Sequence, residues 1–133
     1  MMKVKAQSKW VRMGARKIRR VMGEIRGKNA AQAIAELRFL PHKGARLIEK
    51  AVKSAVANAK HNFKLDEKNL FISEAYVDEA TPFKRFRCGS RGRTSPRRKK
   101  QSHVTVFVSP IEPKAKKAAK KSKQTKVHEE RKE

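Results

Sequence analysis

From Ala80 to Ile111 the sequence has no Asp or Glu, yet it carries Lys84, Arg85, Arg87, Arg91, Arg93, Arg97, Arg98, Lys99 and Lys100. A one-signed run of this kind suits one task above others. Lys and Arg displace the counterions condensed on a polyanion, and their release drives binding. A second basic run holds Arg16, Lys17, Arg19 and Arg20, then Arg26 and Lys28, with Glu24 the only acid before Glu36. An ordinary soluble surface mixes its signs, so a polyanion contact is expected for both runs. Phe83 and Phe86 flank Lys84-Arg85. Rings interleaved with cations can stack on unpaired bases, which favours looped RNA over plain duplex; the same rings could instead cover a sheet edge.

Other chemistries lack a constellation. His42, His61, His103 and His128 are scattered without metal-ligand spacing. The one cysteine, Cys88, has no assignable His or Asn partner, and neither a P-loop nor a dinucleotide fingerprint occurs. No enzyme, cofactor or metal is therefore expected. A lone cysteine also forms no internal disulfide, which fits a reducing compartment.

In the whole chain of 133 residues, 36 Lys and Arg face 12 Asp and Glu, for a formal charge of +24. A molecule so charged repels itself unless it lies against a polyanion. Hydrophobic residues make up 38% and charged residues 36%, so the core is modest and part of the chain is expected to lie outside it. No apolar run approaches the roughly 18 residues of a membrane span. The first residues resemble neither a secretion signal nor an organellar leader, so a cytoplasmic protein without membrane contact is expected.

These cations need elements to hold them. Lys3 to Val11 alternates as a short strand. From Gly14 the period becomes helical, with Ala15, Ile18, Val21, Met22 and Ile25 on one stripe and the first basic run around it. Gly27 sits where a helix end favours a left-handed residue. Asn29 is placed to cap a second helix carrying Ala30, Ala33, Ile34 and Leu37, which Pro41 closes. A third helix is expected from Lys43 to Lys60, striped by Leu47, Ile48, Ala51, Val52, Ala55, Val56 and Ala59.

Strands follow at Leu70–Val77 and His103–Ser109, with Val104, Val106 and Val108 on one face. More than twenty residues join them. A structureless loop that long is uncommon in a compact domain, so the strands are expected to continue outward as a hairpin with its tip near Arg91-Gly92-Arg93. The expected organisation is a globular unit over 1–110, including an arm over 80–103, and a disordered basic tail over 111–133.

Several motifs in fixed order resemble one family. Val11-Arg12-Met13, Arg16-Lys17-Ile18-Arg19, Val21 and Ile25-Arg26-Gly27-Lys28 are similar to the N-terminal signature of bacterial large-subunit ribosomal protein L-twenty-two. Ser54 to Ala59 with His61-Asn62 resembles its third helix. Val77-Asp78-Glu79, Lys84-Arg85, Arg91-Gly92-Arg93 and Ser102 to Val106 resemble its hairpin. The likeness runs from about residue 3 to 109.

The resemblance implies an α+β fold: three helices packed on a small antiparallel three-stranded sheet, with a long protruding β-hairpin. It implies a structural constituent of the large ribosomal subunit that binds 23S rRNA and supports subunit assembly. Its arm would line the polypeptide exit tunnel. Carried over by position, Arg12, Lys17, Arg19, Arg26 and Lys28 would contact rRNA at the globular part, and Lys84, Arg85, Ser102 and His103 along the arm. The residue pattern adds Arg16, Arg20, Arg87, Arg97, Arg98, Lys99 and Lys100, while Arg91, Gly92 and Arg93 would form the tip. Implied partners are 23S rRNA, neighbouring large-subunit proteins, and nascent polypeptide and macrolides at the tip, with no homo-oligomer. The chain departs from the family at Gly14-Ala15, where a Ser-Pro is common, at Cys88-Gly89-Ser90, where Pro-Arg-Ala is common, and at Arg97-Arg98, where an apolar residue is common. A nucleoid-type DNA-binding protein is the competing expectation, since basic arms also wrap duplex.

Overall fold

The computed structural model describes residues 2–110; the expected tail over 111–133 lies outside them. The elements in chain order are β1 (Val4–Val11), α1 (Ala15–Ile25), α2 (Ala30–Phe39), α3 (Lys43–Phe63), β2 (Leu70–Cys88) and β3 (Thr94–Pro110). Short 3-10 turns occur at Glu67–Asn69 and Ser90–Gly92. The strands form one antiparallel sheet in the order β1-β3-β2. This is the expected α+β architecture.

Helix boundaries follow local signals. Gly14 begins α1 without a side-chain cap, as its departure from Ser-Pro implied. Gly27, at φ 75, leaves the helix in the left-handed region. The Asn29 side chain accepts from the Ala31 N–H at 3.0 Å and caps α2. α2 stops at Phe39, two residues before Pro41. α3 runs three residues past the expected Lys60, to a left-handed Lys64 whose N–H reaches Lys60 O.

All five stripe residues of α1 are buried, as are Ile48, Ala51, Val52, Ala55 and Ala59 of α3. They cover one face of the sheet, where Val104, Val106 and Val108 are fully buried. Small residues let α1 and α3 approach closely. A Cβ at Gly44 of α3 would lie 3.8 Å from the Cα of Ile18. Among the described residues no buried side-chain polar atom lacks a partner.

Beyond the core, β2 and β3 continue together to the pair Cys88↔Thr94. Every residue from Phe83 to Lys100 is exposed. The ribbon extends roughly 25 Å past the pair Ala80↔Gln101 at about 3.3 Å per residue, and it has no apolar filling of its own. Pro82 sits where β2 slips register between Ala80 and Phe83, a bulge in which its missing N–H disrupts no ladder bond. At the tip, Gly89 N–H donates to Arg93 O at 2.7 Å, with Arg91 at φ 56 and Gly92 at φ 70.

Candidate nucleic-acid interface

Many of the expected cations gather in two features. The first is the ribbon. Its register sets Lys84 opposite Arg98 and Arg85 opposite Arg97. Like charges directly across a ladder repel, and this two-stranded ribbon has no core to hold it. Lys99 and Arg87 join them along a shallow groove with Arg85, Phe86, Arg97 and Arg98. Phe86 is 77% exposed there. Isolated ribbons are marginal in water, and this one carries a further penalty that an anionic partner removes.

The second feature is a cleft of about 700 Å³ at the root of the ribbon, between the starts of α1 and α3. Arg16, Lys17, Arg20, Lys43 and Lys100 line it, with Glu79 as its one acid. A Cβ at Gly14 would sit 3.6 Å from the Cβ of Lys100, so the helix start and the returning strand are in contact. The basic helix and the basic arm are therefore one continuous surface.

Other expected contacts have structural duties. Arg19 donates from Nε and Nη2 to Val77 O at 3.0 and 2.8 Å, and Arg26 donates from Nε to Ala75 O at 3.0 Å. β2 is an edge strand, and these guanidinium groups cap carbonyls that would otherwise invite another strand. The exchange between Gly27 N–H and Ile72 O, and between Ile72 N–H and Lys28 O, closes the same edge. Lys28 is also paired with Glu36 at 2.6 Å. Arg12 lies over the Phe83 ring at 5.7 Å, and Arg85 lies over the same ring at 5.4 Å. Phe83 is thus held between two guanidinium groups and stays 38% exposed.

Ser102, expected as an rRNA contact along the arm, is fully buried and its hydroxyl donates to Met13 O at 2.8 Å, so it ties β3 to the β1–α1 turn. The even-numbered positions of β3 face the helices, a consequence of strand alternation. His103, one residue on, faces the other way, and its Nδ1 accepts the Trp10 N–H at 3.1 Å. Arg91, Gly92 and Arg93 form the exposed tip as expected.

Lys3 and the Tyr76 hydroxyl both engage Glu74. Those two donors hold the Glu74 carboxyl below its ordinary range, and Glu74 in turn raises the Tyr76 hydroxyl.

The division of labour among the arginines is testable. Arg19→Ala is expected to lower stability by about 1 kcal/mol by orphaning the Val77 carbonyl. Arg16→Ala should leave the urea midpoint unchanged and reduce the salt slope of RNA binding by about one. Equal stability loss in both would mean that Arg19 does not cap the edge.

Comparison with known proteins agrees with the geometry. The family model described as ribosomal protein L22p/L17e matches residues 6–109. The chain is 53% identical over 105 residues to the large ribosomal subunit protein uL22 of Ligilactobacillus salivarius, covering 79% of this chain and 91% of that one. With the protein of the same name from Lacticaseibacillus casei it is 52% identical over 104 residues, 78% of this chain and 89% of that one. With that of a Synechococcus species it is 45% identical over 112 residues, 84% and 91% of the two chains.

Proposed function

This chain belongs to the ribosomal protein L22p/L17e family, and from that premise we propose that its basic surface holds 23S rRNA while its arm lines the polypeptide exit tunnel. The protein is a structural component of the large ribosomal subunit and not an enzyme.

The charge pattern of the arm supports this reading. A coreless ribbon that sets Lys84 against Arg98 and Arg85 against Arg97 gains stability when its charges are neutralised along its length. Folded RNA supplies phosphates on several sides of an inserted arm; a flat duplex meets one face. Arg12, Arg16, Lys17, Arg20, Lys99 and Lys100 anchor the root in this proposal, and Arg87, Arg97 and Arg98 hold the shaft. Arg91, Gly92 and Arg93 reach the tunnel wall, within range of nascent chains and macrolides. Insertion of the arm ties distant RNA segments together, which supports subunit assembly. Neighbouring large-subunit proteins are the expected protein contacts.

Sedimentation tests this. The protein should travel with large subunits at moderate salt and strip off progressively as salt rises, because phosphate contacts release counterions. Recovery mainly on duplex DNA, or free of ribosomes at low salt, would overturn the proposal.

A further inference from the structure

The helix-free face of the sheet carries a second arrangement, built on an aromatic pair. Between Ser8 and Val11 the β1 register shifts, so that Lys9 and Trp10 together lie opposite His103. Trp10 occupies φ 57, a left-handed conformation that bulky side chains rarely adopt and that marks functional sites when the surroundings enforce it. Two contacts enforce it here. The Trp10 N–H donates to His103 Nδ1 at 3.1 Å, and the two rings meet edge to face with centroids 4.8 Å apart.

The indole so fixed is not a core residue. It is the chain's one tryptophan and is 56% exposed. Farther along β3, Phe83 lies opposite Lys99 in register, on the same face as His103. Its ring is flanked by the guanidinium groups of Arg12 and Arg85. The acid in register with His103 is Asp78, against the cations Lys9, Arg12, Arg85 and Lys99.

We propose that Trp10, held by His103, is a stacking seat for one unpaired base of RNA, with Arg12 and Lys9 placed for the adjoining phosphates. An exposed, immobilised indole loses little freedom on stacking, and every base offers a π-face. Bases inside a duplex present none, so the seat selects bulged or single-stranded segments. The surrounding positive charge favours nucleic acid over an apolar protein partner. The seat deepens the rRNA-binding reading and rests on it, but it makes a separate prediction about strandedness.

Trp10 is its own probe. The full chain is titrated with a short oligoadenylate and with an RNA duplex of equal charge, following indole emission and, by anisotropy, total binding. Oligoadenylate should quench the emission; duplex should bind through the arm without quenching. Trp10→Gly, which suits φ 57 and spares the fold, should weaken oligoadenylate binding by about tenfold and leave duplex binding unchanged, while Trp10→Phe should retain most of it. A melting curve confirms that each variant is folded. Salt-sensitive binding of both RNAs with no quenching, and equal affinity in Trp10→Gly, would overturn the seat while leaving the rRNA-binding reading intact. Absence of salt-sensitive RNA binding altogether would defeat that reading and the seat with it.

Discussion

Replacement of residues 87–98 by a two-residue turn is expected to leave the domain folded and to weaken its RNA binding by about a thousandfold at moderate salt. Folding should survive because every residue from Phe83 to Lys100 is exposed. The fully buried side chains, from Ile18 to Val108, all lie outside the deleted segment. Relief of the Arg85–Arg97 and Lys84–Arg98 repulsion partly offsets the missing ladder bonds, so the melting temperature should move by only a few degrees. Binding should fall because the deletion removes Arg87, Arg91, Arg93, Arg97 and Arg98. Without the phosphate neutralisation those arginines supply, the slope of log affinity against log salt should fall by roughly four. Thermal melting and a salt series on the same preparation check both halves. Unfolding of the shortened chain would show the arm to be part of the core; an unchanged slope would show that it does not meet phosphate.

Ile18→Ala should have the opposite signature: a large loss of stability with no change of the binding surface. Ile18 is fully buried on α1, at the point where Gly44 brings α3 against it. A cavity there is walled by two helix backbones and collapses poorly, so the cost should be about 3 kcal/mol. That is a large fraction of the stability typical of a domain. Urea unfolding should show a lower midpoint at an unchanged m-value, with RNA affinity retained below the transition. A cost under about 1 kcal/mol would place the α1–α3 contact outside the core.

Much of this was legible in the residues because it depends on local rules. The α1 stripe of Ala15, Ile18, Val21, Met22 and Ile25 is a period, Gly27 and Asn29 are end signals, and each did what its type predicts. The hairpin was legible by elimination. Two strand patterns stood too far apart for a loop, and the residues between them had charge but no core. Its outward course to a tip near Arg91-Gly92-Arg93 followed from the same two facts, and the strands do pair out to Cys88↔Thr94.

What escaped was long-range. A run of arginines on α1 reads as one basic face, yet Arg19 and Arg26 reach carbonyls more than forty residues away on β2. Only the placement of β2 at the sheet edge, in the order β1-β3-β2, makes those carbonyls available. The structural duty of Ser102 was hidden for a related reason. Its burial depends on the register of β3, and motif likeness carries residue type without facing. The left-handed Trp10 arises from a bulge that the β1 sequence does not announce.

The claim that matters most is the location of the arm, and Cys88 offers direct access to it. It is the chain's one cysteine, exposed, and adjacent to the tip turn. A short photoreactive group attached there, in large subunits assembled with the labelled protein, should crosslink to 23S rRNA and, during translation, to nascent chains. Labelled subunits that contain the protein in full amount but yield adducts with neither would contradict the account.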